Sequence, residues 1–247
     1  MIYLKSQEEI AKMREGGKIL SEVLGFLKEK IQVGTSSKEL EKFAEVLLKK
    51  REAEPSFKDF KGYPAAVCIS FNEEIVHGIP SDRKIKRGDV VSVDLGVRYK
   101  DFYTDAAFTV AVQNNDPRVK KLVGITEKAL AFAIDEIALG KTLGDVGFVV
   151  EKIAKDNKFS VVRDLVGHGV GCKVHEDPQV PNFGERGKGR KLEKGMTLAL
   201  EPMITLGGSD IKCMDDGWTF VTADESIAAH FEHTVVVNKD GCEVLTR

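Results

Sequence analysis

The sequence predicts a single α+β domain, residues 1–247, built from two similar halves of approximately 1–112 and 113–247. Three observations carry that expectation. Arg83-Lys84-Ile85-Lys86-Arg87-Gly88-Asp89-Val90-Val91-Ser92-Val93-Asp94 reads against Arg190-Lys191-Leu192-Glu193-Lys194-Gly195-Met196-Thr197-Leu198-Ala199-Leu200-Glu201, and each copy ends on a carboxylate. Upstream, Val76-His77-Gly78-Ile79-Pro80 is echoed by Val174-His175-Glu176-Asp177-Pro178. The order helix, helix, strands occurs twice, with no Pro/Ser-rich linker between the copies. Folded back on each other, such halves point two acids and two histidines into one cleft, which suggests a binuclear metal centre.

The elements follow in order. Ser6-Gln7-Glu8-Glu9 forms a capping box, and Ile10, Met13, Leu20, Leu24 and Leu27 recur at helical spacing. Ser36 to Lys50 predicts a second helix with Leu40, Phe43, Leu47 and Leu48 on one face. Strands dominate from about Ala65 to Val112. Asp116-Pro117 supplies an N-cap acid and a first-turn proline for a helix to about Ile137. A further helix spans about Thr142 to Lys155, and strands then run to the C-terminus.

Composition excludes several classes. At 42% hydrophobic and 31% charged residues, the chain is globular rather than disordered. A formal charge of −2 gives no support for nucleic-acid binding. The N-terminal segment turns acidic before any signal-peptide core forms, and no apolar run approaches membrane-spanning length. Cys68, Cys172, Cys213 and Cys242 lack metal-type spacing and read as free thiols in a reducing compartment, so the cytoplasm is expected.

Val91, Val93 and Leu95 alternate with Ser92 and Asp94, and Phe102 to Val110 reads as the returning strand. A turn centred between Tyr99 and Lys100 puts Asp94 directly opposite Asp105, with Cβ atoms about 5 Å apart. Carboxylates that close repel unless a proton or cation sits between them. The alternative is a bulge that turns both acids to solvent. Gly167-His168-Gly169-Val170-Gly171 flanks a histidine with residues lacking side chains, so either a ligand approaches the backbone closely or His168 is structural in a tight loop. No amphipathic helix follows these glycines, which excludes a dinucleotide loop. Glu201 stands at the end of the apolar strand Thr197-Leu198-Ala199-Leu200. In His230-Phe231-Glu232-His233-Thr234, alternation puts His230, Glu232 and Thr234 on one face and His233 on the other, where it either supports the metal-holding side chains or is structural. Four carboxylates and one imidazole balance two divalent cations and suit Mn²⁺, Fe²⁺, Co²⁺ or Zn²⁺.

Asp94, Asp105, His168, Glu201 and Glu232, with His77 and His175, resemble in order and spacing the motif set of the methionine aminopeptidases. Gly62-Tyr63-Pro64, Val67-Cys68-Ile69-Ser70, His77-Gly78-Ile79-Pro80, Gly167-His168-Gly169 and Glu232-His233-Thr234 extend the resemblance over nearly the whole chain. It implies the pita-bread fold, a pseudo-twofold domain whose curved antiparallel sheet is covered by helices. The short Glu201–Glu232 interval and the lack of an N-terminal extension resemble the short bacterial type I form.

The resemblance implies two divalent metal ions (Co, Mn, Fe or Zn), with Asp94 on one, Asp105 and Glu232 bridging, and His168 with Glu201 on the other. A metal-bridging hydroxide would attack the scissile carbonyl with Glu201 as general base. His175 would stabilise the oxyanion, and His77 would contact the scissile amide. Tyr63, Cys68 and Trp218 resemble the slot for a methionine side chain. The implied activity is removal of initiator methionine from nascent polypeptides with a small second residue, by a monomer. Phe57, Phe60 and Val174 depart from the family pattern in the slot. His230 replaces a common glutamine and becomes a candidate for contact with the metal-holding side chains. The basic loop from Arg186 to Lys191 reads as a solvated rim or a contact with ribosomal RNA. Two alternatives stand beside this: a proline-specific aminopeptidase or prolidase with the same five ligands, and a non-catalytic pita-bread binding protein.

Overall fold

Helices begin where the caps place them. In this computed structural model, which describes residues 2–247, α1 (Gln7–Lys30) carries the Ser6/Glu9 capping box and buries Ile10, Met13, Leu20, Leu24 and Leu27. The second helix, α2 (Ser37–Lys50), has the same box from Ser36 and Glu39. Its buried stripe is Leu40, Ala44 and Leu48. Phe43, expected on that face, is 44% exposed, with the Lys30 ammonium 5.1 Å from its ring centroid. Ala44 fills the buried position beside it.

The first half continues through β1 (Glu54–Pro55), β2 (Cys68–Phe71) and β3 (Glu74–Val76) to the hairpin β4 (Val90–Tyr99)–β5 (Phe102–Ala111). The second half opens with α3 (Pro117–Glu136), capped by Asp116, and α4 (Leu143–Asp156), capped by Thr142 and Asp145. Then come β6 (Ser160–Val161), β7 (Gly167–Gly169), β8 (Glu176–Val180), β9 (Thr197–Leu200) and β10 (Met203–Thr205). The chain ends with β11 (Ile211–Cys213), β12 (Phe220–Thr222), β13 (Ala228–His230), β14 (Glu232–Asn238) and β15 (Gly241–Val244).

An antiparallel sheet in the order β1-β4-β5-β14-β9-β7-β8 holds the halves together, with β2 on β4 and β15 on β14. The seam between halves is the β5–β14 pair. The repeat is structural as well as sequential. Lys84 bridges to Ser36 at the cap of α2, and Lys191 bridges to Thr142 at the cap of α4. Gly88 and Gly195 then turn the chain at φ +92° and +88° before β4 and β9.

Alternation sorts the sheet's faces. Val91, Val93, Leu95 and Val97 of β4, Ala106 and Phe108 of β5, Leu198 and Leu200 of β9, and Val235 and Val237 of β14 join the main core with residues of all four helices. Each fully buried side chain of this kind contributes about 1.5–3 kcal/mol. Asp94, Asp105, Glu201 and Glu232 fall on the opposite parity and so on the other face.

The hairpin register corrects the sequence expectation. Tyr99 pairs with Phe102, so the turn is centred between Lys100 and Asp101, both left-handed at φ +48° and +66°. Asp94 therefore faces Ala107, and Asp105 faces Gly96. The two acids are diagonal neighbours on one face rather than directly opposed, still within reach of each other.

Candidate metal centre

A cavity of about 1120 Å³ opens on this face, lined by Asp94, Asp105, His168, Glu201 and Glu232 together with His77, His175, Tyr63, Cys68 and Trp218. The ligand atoms of Asp105, His168 and Glu232 lie within 4.8 Å of one another. Glu201 adjoins them, its Oε1 3.5 Å from His168 Nε2. Asp94 interacts with Asp105 directly. The strands explain the convergence: Glu232 pairs with Ala107, and His168 pairs with Ala199, two residues before Glu201.

Among the described residues, Asp94 Oδ1, Asp105 Oδ1 and Glu232 Oε1 are buried without a hydrogen-bond partner. Buried carboxylate oxygens left that way cost several kcal/mol unless a proton or a cation meets them. Burial pushes all four acids above the usual carboxylate range, with neighbouring carboxylates adding to it for Asp94, Glu201 and Glu232. Asp105 is pushed up to about 7 by burial, against the contact with Asp94, which lowers it. Burial, and then His175 nearby, holds the His168 imidazole down to about 3, so it is neutral and able to ligate. Its Nδ1 lies 2.9 Å from Gly169 O, which leaves Nε2 facing the acids. Oxygen-rich donors with one nitrogen fit a divalent metal.

A model of metallopeptidase family M24 matches residues 11–239. The chain belongs to metallopeptidase family M24. A methionine aminopeptidase from Clostridium perfringens is 47% identical over 246 residues, covering 100% of this chain and 99% of that protein. The crystal structure of a methionine aminopeptidase from Thermotoga maritima superposes with a TM-score of 0.98 at 44% identity, covering 100% of both chains. A prolidase from Pyrococcus horikoshii shares the fold at TM-score 0.80 and 25% identity, but this chain covers 63% of it. The fold is the pita-bread fold of these M24 structures, with its curled antiparallel sheet and helices.

One wall of the M24 cavity is apolar. Phe57, Tyr63, Ala65, Cys68 and Val174 pack together, with Phe60 and Trp218 against them. Tyr63 meets Trp218 edge-on at 5.2 Å and donates its hydroxyl to Gly78 O at 3.1 Å. Burial raises the Cys68 thiol well above its ordinary range, so it serves as a small apolar surface. Phe60, one of the departures, lies edge-on to His175 at 5.3 Å. His77 is left-handed at φ +61°, a conformation that costs about 1–2 kcal/mol, and burial holds its imidazole down to about 4.

Other outcomes differ from, add to or match the sequence expectations. The glycines beside His168 admit strands rather than a ligand: a Cβ on Gly167 or Gly169 would collide with the backbone of Ala199 or Asp177. His230 lies on β13, outside the central sheet, yet its Nε2 reaches to 3.8 Å from Glu201 and 3.9 Å from Glu232. His233 turns away and pairs with Thr246 Oγ1 at 2.8 Å. Thr234 does more than share a face. Its hydroxyl accepts from Asp105 N and donates to Asp105 O, both at 2.8 Å. The strand alternation signals its place but not that clamp. The loop around Arg186 packs on the start of α4, with Gly187 N donating to Asp145 at 3.1 Å. No helix among the described residues is long and apolar enough to cross a membrane.

Proposed function

We propose that the protein removes N-terminal methionine from polypeptides whose second residue is small. The observation that carries this is the juxtaposition of the buried acid–imidazole cluster with the apolar slot of Tyr63, Cys68 and Trp218 in one cavity. An unbranched thioether side chain suits a slot of that composition.

Asp94, Asp105, His168, Glu201 and Glu232 would hold two divalent cations, Co, Mn, Fe or Zn. When bound, such cations acidify water and polarise the scissile carbonyl. Glu201 in its ionised form takes a proton from the attacking water. His175 and His77 are both held below the usual histidine range by burial and are neutral at pH 7. Neutral imidazoles donate one hydrogen bond without repelling nearby cations. His175 donates to the developing oxyanion, and His77 contacts the scissile amide. The substrates in the cell would be nascent chains met in the cytoplasm by a monomer, with the Arg186–Lys191 rim toward the ribosome.

The test is hydrolysis of Met-Ala-Ser beside Leu-Ala-Ser and Gly-Pro-Ala by metal-free protein titrated with Co²⁺, Mn²⁺ or Fe²⁺. Metal-dependent cleavage of the methionyl peptide alone is expected, and it should be lost in Glu201→Ala. Cleavage before proline would move the chain to the prolidase activity. Failure to bind any divalent metal would leave a binding protein.

A further inference from the structure

The segment before α1 passes the cavity and reaches into the protein behind it. Tyr3 forms part of the cavity wall, and Lys5 N donates to Gly195 O at 2.8 Å. The Lys5 side chain is 1% exposed and pairs with Glu176, which is 10% exposed. The other oxygen of Glu176 accepts from Lys173 N at 2.9 Å. One largely buried carboxylate thus ties the N-terminal segment to Lys173 and Glu176, on either side of His175. Gly171 sits at φ +142°, and a Cβ there would lie 2.5 Å from Lys5 Cε. The lysine stem occupies the room a side chain at 171 would need.

The His175 ring touches His168 edge-on at 4.2 Å and Phe60 at 5.3 Å. The backbone on either side sets where that ring starts from. A buried ion pair stabilises little compared with apolar packing, whereas removing one partner is costly. Its use here is therefore geometric.

We propose that Lys5 is a positioning residue for His175, acting through Glu176 to fix the 171–176 turn. This rests on His175 facing the reacting carbonyl. In metal-loaded protein, Lys5→Met should lower kcat on Met-Ala-Ser by about 10- to 100-fold with KM changed less than about twofold. Lys5→Met/Glu176→Gln, which leaves no unpaired buried charge, should behave alike, and Lys5→Arg should recover most of the rate. In a His175→Ala background, Lys5→Met should cost nothing further. Wild-type kcat in Lys5→Met, or losses that multiply in that background, would overturn the proposal. A second readout does not need turnover. The ¹⁵N-imidazole resonances of His175, assigned with His175→Ala, should shift in Lys5→Met and return in Lys5→Arg; unmoved resonances would also overturn it. A wild-type protein silent with every metal would sink the proposed activity, while the resonances still decide the role of Lys5.

Discussion

His230 Nε2 lies 3.8 Å from Glu201 Oε2, while His168 Nε2 lies 3.5 Å from the other oxygen, Oε1. The carboxylate proposed as the base is bracketed by two imidazoles. Both ring nitrogens of His230 are buried and lack a hydrogen-bond partner, so a small approach of Glu201 gives Nε2 an acceptor. Replacing His230 with leucine should lower kcat/KM on Met-Ala-Ser roughly tenfold, the scale for groups that orient metal ligands. Glutamine, which restores a donor, should stay near the wild-type value. Equal losses in both variants would show that packing alone matters at 230.

Metal affinity should rise with pH. The four acids favour their protons in the metal-free fold, and Asp105 titrates near 7 against an ordinary value near 4. In metal-free protein these acids hold more protons folded than unfolded, so the stability they contribute is lost as pH climbs through that window. The histidines held neutral by burial act in the opposite direction below about pH 6.5. Cations displace the acids' protons and remove the loss. The gap in Tm between metal-loaded and metal-free protein should widen from pH 5 to pH 8; a constant gap would contradict it.

Thr234→Val should destabilise the fold by about 1–3 kcal/mol, because it leaves the buried N–H of Asp105 without its acceptor. Urea denaturation of metal-free protein measures this directly. Calorimetric metal titration should show weaker binding as well, since Asp105 loses its backbone clamp.

Trp218→Ala removes one edge of the slot. KM for Met-Ala-Ser should rise roughly tenfold with kcat little changed, the pattern for lost ground-state apolar contact. A fall in kcat alone would place Trp218 outside the slot.

Much of this site was legible because strands report their faces. The parities of residues 94, 105, 201 and 232 follow from alternation, and the capping box at Ser6 marks the start of the first helix. The register of the β4–β5 hairpin was not legible: Lys100 and Asp101 adopt a left-handed turn without the glycine or asparagine that signals one. Phe43 misled because an aromatic at helical spacing reads as core, whereas Lys30 covers it at the surface. Lys5 was silent altogether. A single lysine in a polar segment has no period, and its partner is 171 residues away.

The seam between β5 and β14 has a consequence for assembly. Asp94 and Asp105 belong to one half of the chain, while His168, Glu201 and Glu232 belong to the other. Neither half alone presents the full set of proposed donors, and the last of them in the chain lies on β14. On the proposed ligand set, tight capture of metal would wait until both halves have docked, so cation uptake during refolding would serve as a clock for the closing of that seam.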